Sequence, residues 1–408
     1  MDVDQLTQPS PVTQAAILCG GLGTRLGELT AQTPKPLLPV SNRPFLDSLV
    51  LQLARHGVRD ILLLAGFAAE QVTAYAEQTP LKAQFGLRFE VSIEPSPAGT
   101  GGALWHARQH LDETFFLLNG DSLFDINLLA LPLVMDDDTL AVLAVRHTED
   151  AGRYGAVDVA DSLITGFREK SPQTAPGWMN AGIYLCRRGL VEQTAAFCSL
   201  ERDVFPALAA QGRLRAAPAH GFFLDIGVPA SYAEAQTSIP RQGRKRAVFL
   251  DRDGVLNVNH GHVGQIARFE WITGARQAVR QMNDAGCYVF VASNQAGVAK
   301  GRYTLADVEI LQTHMTQELA AIGAHIDDWR YCPYHPDGVV AAYAQASDWR
   351  KPEAGMLLDL LKTWDCDQAN SFMIGDKPWD MEAAERAGLA GHLFTGGDLD
   401  AFVAGLLT

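Results

Sequence analysis

The sequence predicts an α/β protein of two domains, each built on a doubly wound, mainly parallel sheet. Three observations carry that expectation. The chain has 408 residues, more than one hydrophobic core usually organises. Short apolar runs of strand length recur along it, separated by stretches of helical spacing, which is the β-α-β alternation of parallel sheets. Several of those runs stop at glycines or carboxylates, above all Ala247-Val248-Phe249-Leu250 before Asp251-Arg252-Asp253. In open α/β sheets the carboxyl ends of the strands are where ligands bind. The domains are drawn at residues 12–238 and 247–408, with 239–246 as a linker.

Composition narrows the function classes. Apolar residues make up 47% and charged residues 20% of the chain, as in ordinary globular proteins. A net charge of −14 argues against a nucleic-acid or anionic-membrane partner. The six cysteines are scattered and form no Cys-x-x-Cys pair, which fits a reducing compartment. Met1 to Thr13 is polar and lacks the layout of a secretion signal. No apolar run approaches the ~20 residues of a membrane span. A cytoplasmic, soluble protein is expected.

In the first half, Gln14–Leu18 reads as a buried strand running into Cys19-Gly20-Gly21-Leu22-Gly23-Thr24-Arg25. Glycines there let a backbone approach a ligand closely and present consecutive N–H groups to phosphate. Arg25 follows on the loop, and Pro34-Lys35-Pro36 braces a second cation. Two prolines stiffen the chain around Lys35, so its ammonium can be aimed. Phe45–His56 is a helical stripe closed by Gly57, Asp60–Leu64 a strand, Ala68–Glu77 a helix, and Leu87–Ile93 a strand. After Glu94-Pro95 comes a second glycine turn, Gly99-Thr100-Gly101-Gly102. Phe115–Leu118 is a strand that ends in Asn119-Gly120-Asp121. Asp225 lies in Phe223-Leu224-Asp225-Ile226-Gly227, more than one hundred residues later. Two carboxylates with a phosphate loop and two cations make a Mg2+ site for a nucleoside triphosphate. Lys170 and Asn180 add a cation and an amide able to read a sugar phosphate.

This half resembles the sugar-phosphate nucleotidyltransferases from about Gln14 to Gln236, and most the guanylyltransferases that act on D-glycero-α-D-manno-heptose 1-phosphate. The resemblance rests on the glycine loop, Pro34-Lys35-Pro36, Gly99–Gly102, Asp121, Glu169-Lys170, Asn180 and Asp225. It implies that Gly20, Gly21, Gly23, Thr24, Gly99, Thr100 and Gly101 contact the nucleotide, GTP or another nucleoside triphosphate. Arg25 and Lys35 would hold charge on the phosphates, Asp121 and Asp225 the Mg2+, and Lys170 and Asn180 the sugar phosphate. The reaction is in-line attack by the sugar-phosphate oxygen on the α-phosphorus, releasing pyrophosphate. One departure is Cys19, where relatives usually carry alanine.

The stretch 239–246 holds proline, glycine and four cations and reads as a solvated linker. Beyond Asp253 the alternation resumes. Gly274–Ala285 is a helix, and Tyr288–Ala292 a strand ending in Ser293-Asn294-Gln295. Leu305–Ile322 is a helix, Asp327–Tyr331 a strand, and Arg350-Lys351-Pro352 precedes a helix to Trp364. Ser371–Ile374 is a strand ending in Gly375-Asp376-Lys377, with Asp380 four residues after Asp376. These strand ends assemble a phosphatase. Asp251 is the nucleophile on phosphorus, and Asp253 protonates the leaving oxygen and then deprotonates water. Ser293 donates to the phosphoryl group and Lys351 neutralises it. Asp376 joins Asp251 in holding Mg2+, with Asp253 counted beside them.

From Arg246 to about Thr395 the chain resembles the haloacid-dehalogenase-type phosphatases, most those that remove the 7-phosphate of D-glycero-D-manno-heptose 1,7-bisphosphate. Histidinol-phosphate phosphatases are close relatives of these. The resemblance puts Asn259, His260, Gly261 and His262 against sugar, Asn294 and Gln295 among the substrate contacts, and Arg350 and Lys377 on phosphate. It also implies a structural zinc loop that this sequence departs from. Tyr334 stands at a ligand histidine's place, and Ser347 and Trp349 where two cysteines belong, so no structural zinc is expected.

The two resemblances name consecutive steps, with heptose phosphates and GTP as partners. Two other readings stay open. One is a mannose or glucose 1-phosphate transferase joined to a histidinol-phosphate-type phosphatase; the other makes one domain catalytically dead and regulatory. Neither the base nor the oligomeric state is legible.

Overall fold

A computed structural model describes residues 12–21, 23–151, 155–168 and 175–407, and the chain divides into two compact units between Gln242 and Gly243. Among the described residues of the first, nine strands form one sheet. Ordered across it by first residue, they begin at Arg88, Asp60, Gln14, Thr114, Gly177, Ala141, Leu214, Leu163 and Ala156. The first four, Arg88–Ile93, Asp60–Ala65, Gln14–Leu18 and Thr114–Asn119, pair in parallel. Helices Phe45–Arg55, Ala69–Gln78 and Gly99–His106 make the crossovers. Alternation along Asp60–Ala65 shows why both faces are covered. Ile61, Leu63 and Ala65 belong to one core and Leu62 and Leu64 to the other, so the strand reads as a continuous apolar run.

The remaining strands of that sheet correct the mainly parallel expectation. Gly177–Arg187 runs antiparallel to both Thr114–Asn119 and Ala141–Thr148, and Leu163–Arg168 antiparallel to its two neighbours. Among the described residues, only Leu214–Pro218 against Ala141–Thr148 is parallel in this half. The sheet is therefore mixed. A separate ladder pairs Ser122–Asp125 with Phe222–Asp225 antiparallel.

The second unit is a five-stranded sheet, ordered Asp328–Cys332, Tyr288–Asn294, Ala247–Leu250, Phe372–Gly375, Ala390–Leu393, with every pairing parallel. Strand order reverses at the central Ala247–Leu250, so its carboxyl end opens on the crevice between diverging crossovers. Helix Leu305–Ala320 begins at a Thr304–Asp307 capping box, in which each side chain satisfies the other's backbone N–H. The stretch 239–246 is not the solvated linker expected. Helix Pro229–Gly243 runs through most of it, with Pro240 inside and Ile239 buried. No helix among the described residues is long and apolar enough to cross a membrane.

Candidate active sites

In the first unit the carboxyl ends of the parallel strands open on a cleft of about 500 Å3. Gly20, Gly21, Gly23, Thr24, Lys35, Gly99, Thr100, Gly120 and Asp121 line it, joined by Glu94, Asn119 and Glu201. Gly21 has open space around it, but two of the other glycines are close-packed. A Cβ on Gly20 would sit 2.8 Å from Glu94 Oε1, and one on Gly120 only 2.2 Å from the Leu18 carbonyl oxygen. Lys35 Nζ lies 2.9 Å from Asp121 Oδ2. The small antiparallel ladder places Asp225 opposite Ser122, and the Ile226 N–H donates to the Asp121 carbonyl at 2.9 Å. The two carboxylates thus stand together. Burial and then the Asp121 charge push the Asp225 carboxyl up, against Lys35 and Arg25.

Two residues placed with this site do other work. Gly101 packs on Cys198: its N–H donates to the Cys198 carbonyl at 3.0 Å, and a Cβ would fall 2.4 Å from the thiol. It is a packing glycine, whereas Gly99 and Thr100 reach the cleft. Asn180 does not line the cleft. Its Nδ2 donates to the Tyr184 hydroxyl at 2.9 Å and its Oδ1 accepts from the Gly182 N–H at 3.1 Å. Lys170 lies outside the described residues. Cys19 is buried, and burial pushes its thiol up to about 12, so it fills space without reactivity.

In the second unit the groups converge more tightly. Lys351, with a side chain 0% exposed, reaches Asp251 Oδ1 at 3.0 Å, Asp380 Oδ1 at 2.8 Å and the Ala292 carbonyl at 2.7 Å. A buried ammonium thus stands between two carboxylates and donates to one carbonyl, so its charge is balanced within the site. Burial pushes the Asp251 carboxyl up to about 6, with Lys351 opposing and Asp380 and Asp253 adding to the rise. Lys351 itself ends above its usual value, because the two carboxylates outweigh the burial that would lower it. Gly254 makes room beside it for Asp376. It takes φ +100°, and a Cβ would lie 2.3 Å from Asp376 Oδ2.

Asp251, Asp376 and Asp380 each offer an oxygen within 4.8 Å of the others. Asp376 Oδ2 is paired with Lys377 at 2.8 Å, while its Oδ1 is buried without a hydrogen-bond partner. Three hard oxygens and one orphaned acceptor fit a divalent cation. Asp253, counted with the metal set, is not in this group; its two oxygens accept from Arg252, Asn257 and Gln295. Asp380 stands there instead. In sequence it is a residue in the first turn of a helix, and only the aim of helix Pro378–Arg386 at the strand ends reveals it.

The predicted substrate contacts divide. His262 stands near Asp253; burial, Lys300 and Arg302 hold its imidazole below the usual value. His260 turns to Glu270 at 3.3 Å on the surface, and Asn259 caps the Gly261 N–H at 3.0 Å. Asn294 and Gln295 are engaged within the protein. Asn294 clasps the Lys351 backbone through both its amide atoms, at 2.9 and 3.0 Å. Gln295 is 1% exposed and spends its amide on Asp253, Ser293 and Tyr303. Both position other groups. Arg350 is half-buried, with its guanidinium 3.4 Å from the Tyr334 carbonyl. The zinc-loop positions do not fit a metal: Cys332 packs with Ala292 and Met356 against Tyr334 and Trp349.

Comparison with known proteins accounts for both units. A nucleotidyl transferase family model matches residues 14–242, and a HAD-hydrolase-like model matches 348–401. A D-glycero-beta-D-manno-heptose-1,7-bisphosphate 7-phosphatase of Rhodopseudomonas palustris is 49% identical over 164 residues, 40% of this chain and 91% of that protein. A D-glycero-alpha-D-manno-heptose 1-phosphate guanylyltransferase of Campylobacter jejuni is 33% identical over 225 residues, 54% of this chain and 96% of that protein. The crystal structure of HddC from Yersinia pseudotuberculosis superposes with a TM-score of 0.50 at 28% identity, covering 56% of this chain and 100% of that one; its complex with GMP-PN does the same. Both families are generally dependent on a divalent metal. Over its first unit the chain belongs to the nucleotidyl transferase family, and over its second to the HAD-like phosphatases.

Proposed function

We propose that the chain catalyses two consecutive steps of GDP-heptose synthesis in the cytoplasm. The second unit removes the 7-phosphate of D-glycero-D-manno-heptose 1,7-bisphosphate. The first couples the heptose 1-phosphate to GTP and releases pyrophosphate. The observation that carries this reading is that two relatives, each matched over at least nine-tenths of its length, together account for nearly the whole chain and are named for adjacent reactions.

In the phosphatase step an Asp251 oxygen attacks phosphorus and the ester oxygen leaves with a proton from Asp253. Asp253 then takes a proton from water, whose oxygen displaces phosphate from Asp251. Lys351 keeps the nucleophile ionised while Ser293 donates to the phosphoryl group. In the transferase step Lys35 and Arg25 hold the phosphates in line, so the 1-phosphate oxygen meets the α-phosphorus. Mg2+ would supply positive charge opposite the phosphoryl oxygens, held by Asp251, Asp376 and Asp380 in one site and by Asp121 and Asp225 in the other. Glu94 favours guanine over the other bases. It is a half-buried carboxylate lining a cleft for a polyanion, and guanine presents adjacent N–H donors to such an acceptor.

The relatives differ in anomer: the phosphatase is named for the β form and the transferase for the α form. The test supplies each anomer of the bisphosphate with GTP, ATP, UTP, CTP or dTTP and follows products by mass spectrometry. GDP-heptose from the α anomer is the expected product. Activity confined to hexose 1-phosphates and histidinol phosphate would overturn the proposal.

A further inference from the structure

The residue between the two carboxylates is an arginine, and the fold turns it inward. Arg252 is 3% exposed. Its Nη2 lies 3.0 Å from each oxygen of Asp253 and also donates to the Val263 carbonyl. Asn257, fully buried, gives its Nδ2 to Asp253 Oδ1 at 2.9 Å and to the Val258 carbonyl at 2.9 Å. Gln295 gives its Nε2 to Asp253 Oδ2 at 3.3 Å and to Ser293 Oγ at 2.9 Å. Tyr303 donates its hydroxyl to Gln295 Oε1 at 2.7 Å. Three side chains, reaching from the Asp-x-Asp turn, the loop after it and the next strand's end, aim donors at one carboxyl.

That convergence is more than charge balance requires. A single guanidinium would neutralise Asp253. The amides of Asn257 and Gln295 carry no charge, and what they add is direction. An aspartate at a strand end otherwise swings about two side-chain torsions. Misplacing a reacting group by about 1 Å can cost roughly a hundredfold in rate. The longer Gln295 contact leaves Oδ2 the less committed oxygen, open to exchange a proton with substrate.

We propose that Arg252, with Asn257 and Gln295, is a positioning residue that fixes Asp253 Oδ2 against the leaving oxygen of the phosphate ester. When the Asp251 oxygen bonds to phosphorus, the phosphorus–ester oxygen bond breaks and its electron pair takes the proton held on Asp253 Oδ2. In the second half Oδ2 takes a proton from water, the water oxygen bonds to phosphorus, and the phosphorus–Asp251 bond breaks. Gln295 ties the same carboxyl to Ser293, so the proton donor and a phosphate-binding hydroxyl share one frame. The proposal rests on Asp253 being the acid and base.

Leaving-group dependence tests it. Nitrophenolate departs without a proton, whereas a sugar alkoxide requires one. Rapid-quench single turnovers on heptose 1,7-bisphosphate and on p-nitrophenyl phosphate would compare the wild-type chain with Arg252→Gln, Arg252→Lys and Asp253→Ala. Arg252→Gln should slow release of the sugar about 10- to 100-fold, yet keep nitrophenol release within about threefold and KM nearly unchanged. Arg252→Lys, which keeps the charge and loses the planar guanidinium that also reaches the Val263 carbonyl, should fall between. Equal slowing on both esters would reduce Arg252 to a packing role and overturn the proposal. If Asp253→Ala also failed to discriminate the esters, the acid-base reading would fall with it. Should Arg252→Gln not fold, Gln295→Met removes one contact at similar volume. It should show the same selectivity at smaller size, and its absence would likewise count against the clamp.

Discussion

The two sites solve opposite problems. The transferase cleft is open, about 500 Å3, and its paired Lys35 and Asp121 are 12% and 26% exposed. The phosphatase centre is closed around Lys351 and Asp380, both 0% exposed. A nucleotide with its sugar phosphate brings many groups of its own, so the first site mainly provides room and a few charges. A lone phosphoryl group brings little, so the second site assembles its charges before the substrate arrives. Removing one charge should therefore harm the closed site more than the open one.

The largest effect is expected from Asp251→Asn. It takes the charge from the nucleophile and one partner from buried Lys351. Phosphate release should fall roughly ten-thousand-fold while nucleotidyl transfer stays near wild type. Loss of both activities would show that the sites are not separate. Asp121→Ala is the converse test, with transfer falling about a hundred- to a thousandfold and phosphate release spared. Gly120→Ala probes room rather than charge. Its Cβ would meet the Leu18 carbonyl oxygen at 2.2 Å, so thermal unfolding should show a loss of about 1–3 kcal/mol.

A smaller effect concerns pH. The Asp251 carboxyl is pushed up to about 6 by burial and must be ionised to attack. At limiting divalent cation, kcat/KM for phosphate release should fall as pH drops through about 6. Raising the cation concentration favours the carboxylate, so that acidic limb should move to lower pH. A limb indifferent to the cation would part the metal from Asp251. The smallest effect expected is none at all. A zinc-selective chelator should leave phosphatase activity intact while Mg2+ is present, and one tightly held zinc per chain would contradict that.

Much of both sites is legible because a parallel strand delivers its last residue to the working edge. Gly20, Asp121, Asp251, Ser293 and Asp376 could be read that way. What failed to read did so for physical reasons. Val142 to Val145 is a buried apolar run like any parallel strand, and only its distant partners make the sheet mixed. Gly99 and Gly101 both pack on Cys198, but only Gly99 also lines the cleft, a difference that two residues' spacing does not show. Gln295 follows Ser293 at the end of a strand, and the resemblance alone set it among the substrate contacts. The chain turns inward there and spends it on Asp253. Asp380 was hidden because a helix start in sequence carries no sign of where it points.

The apolar packing of Cys332 has a consequence for how the second unit endures a hostile cell. A loop clamped by thiolates and zinc is vulnerable twice, to scarcity of the ion and to oxidants that strip sulfur from it. Here the same loop is closed by Tyr334 and Trp349 around a thiol that burial keeps protonated. A protonated thiol is a poor nucleophile towards peroxide. The shape of this loop should then outlast a burst of oxidative stress that would open a zinc-bound counterpart.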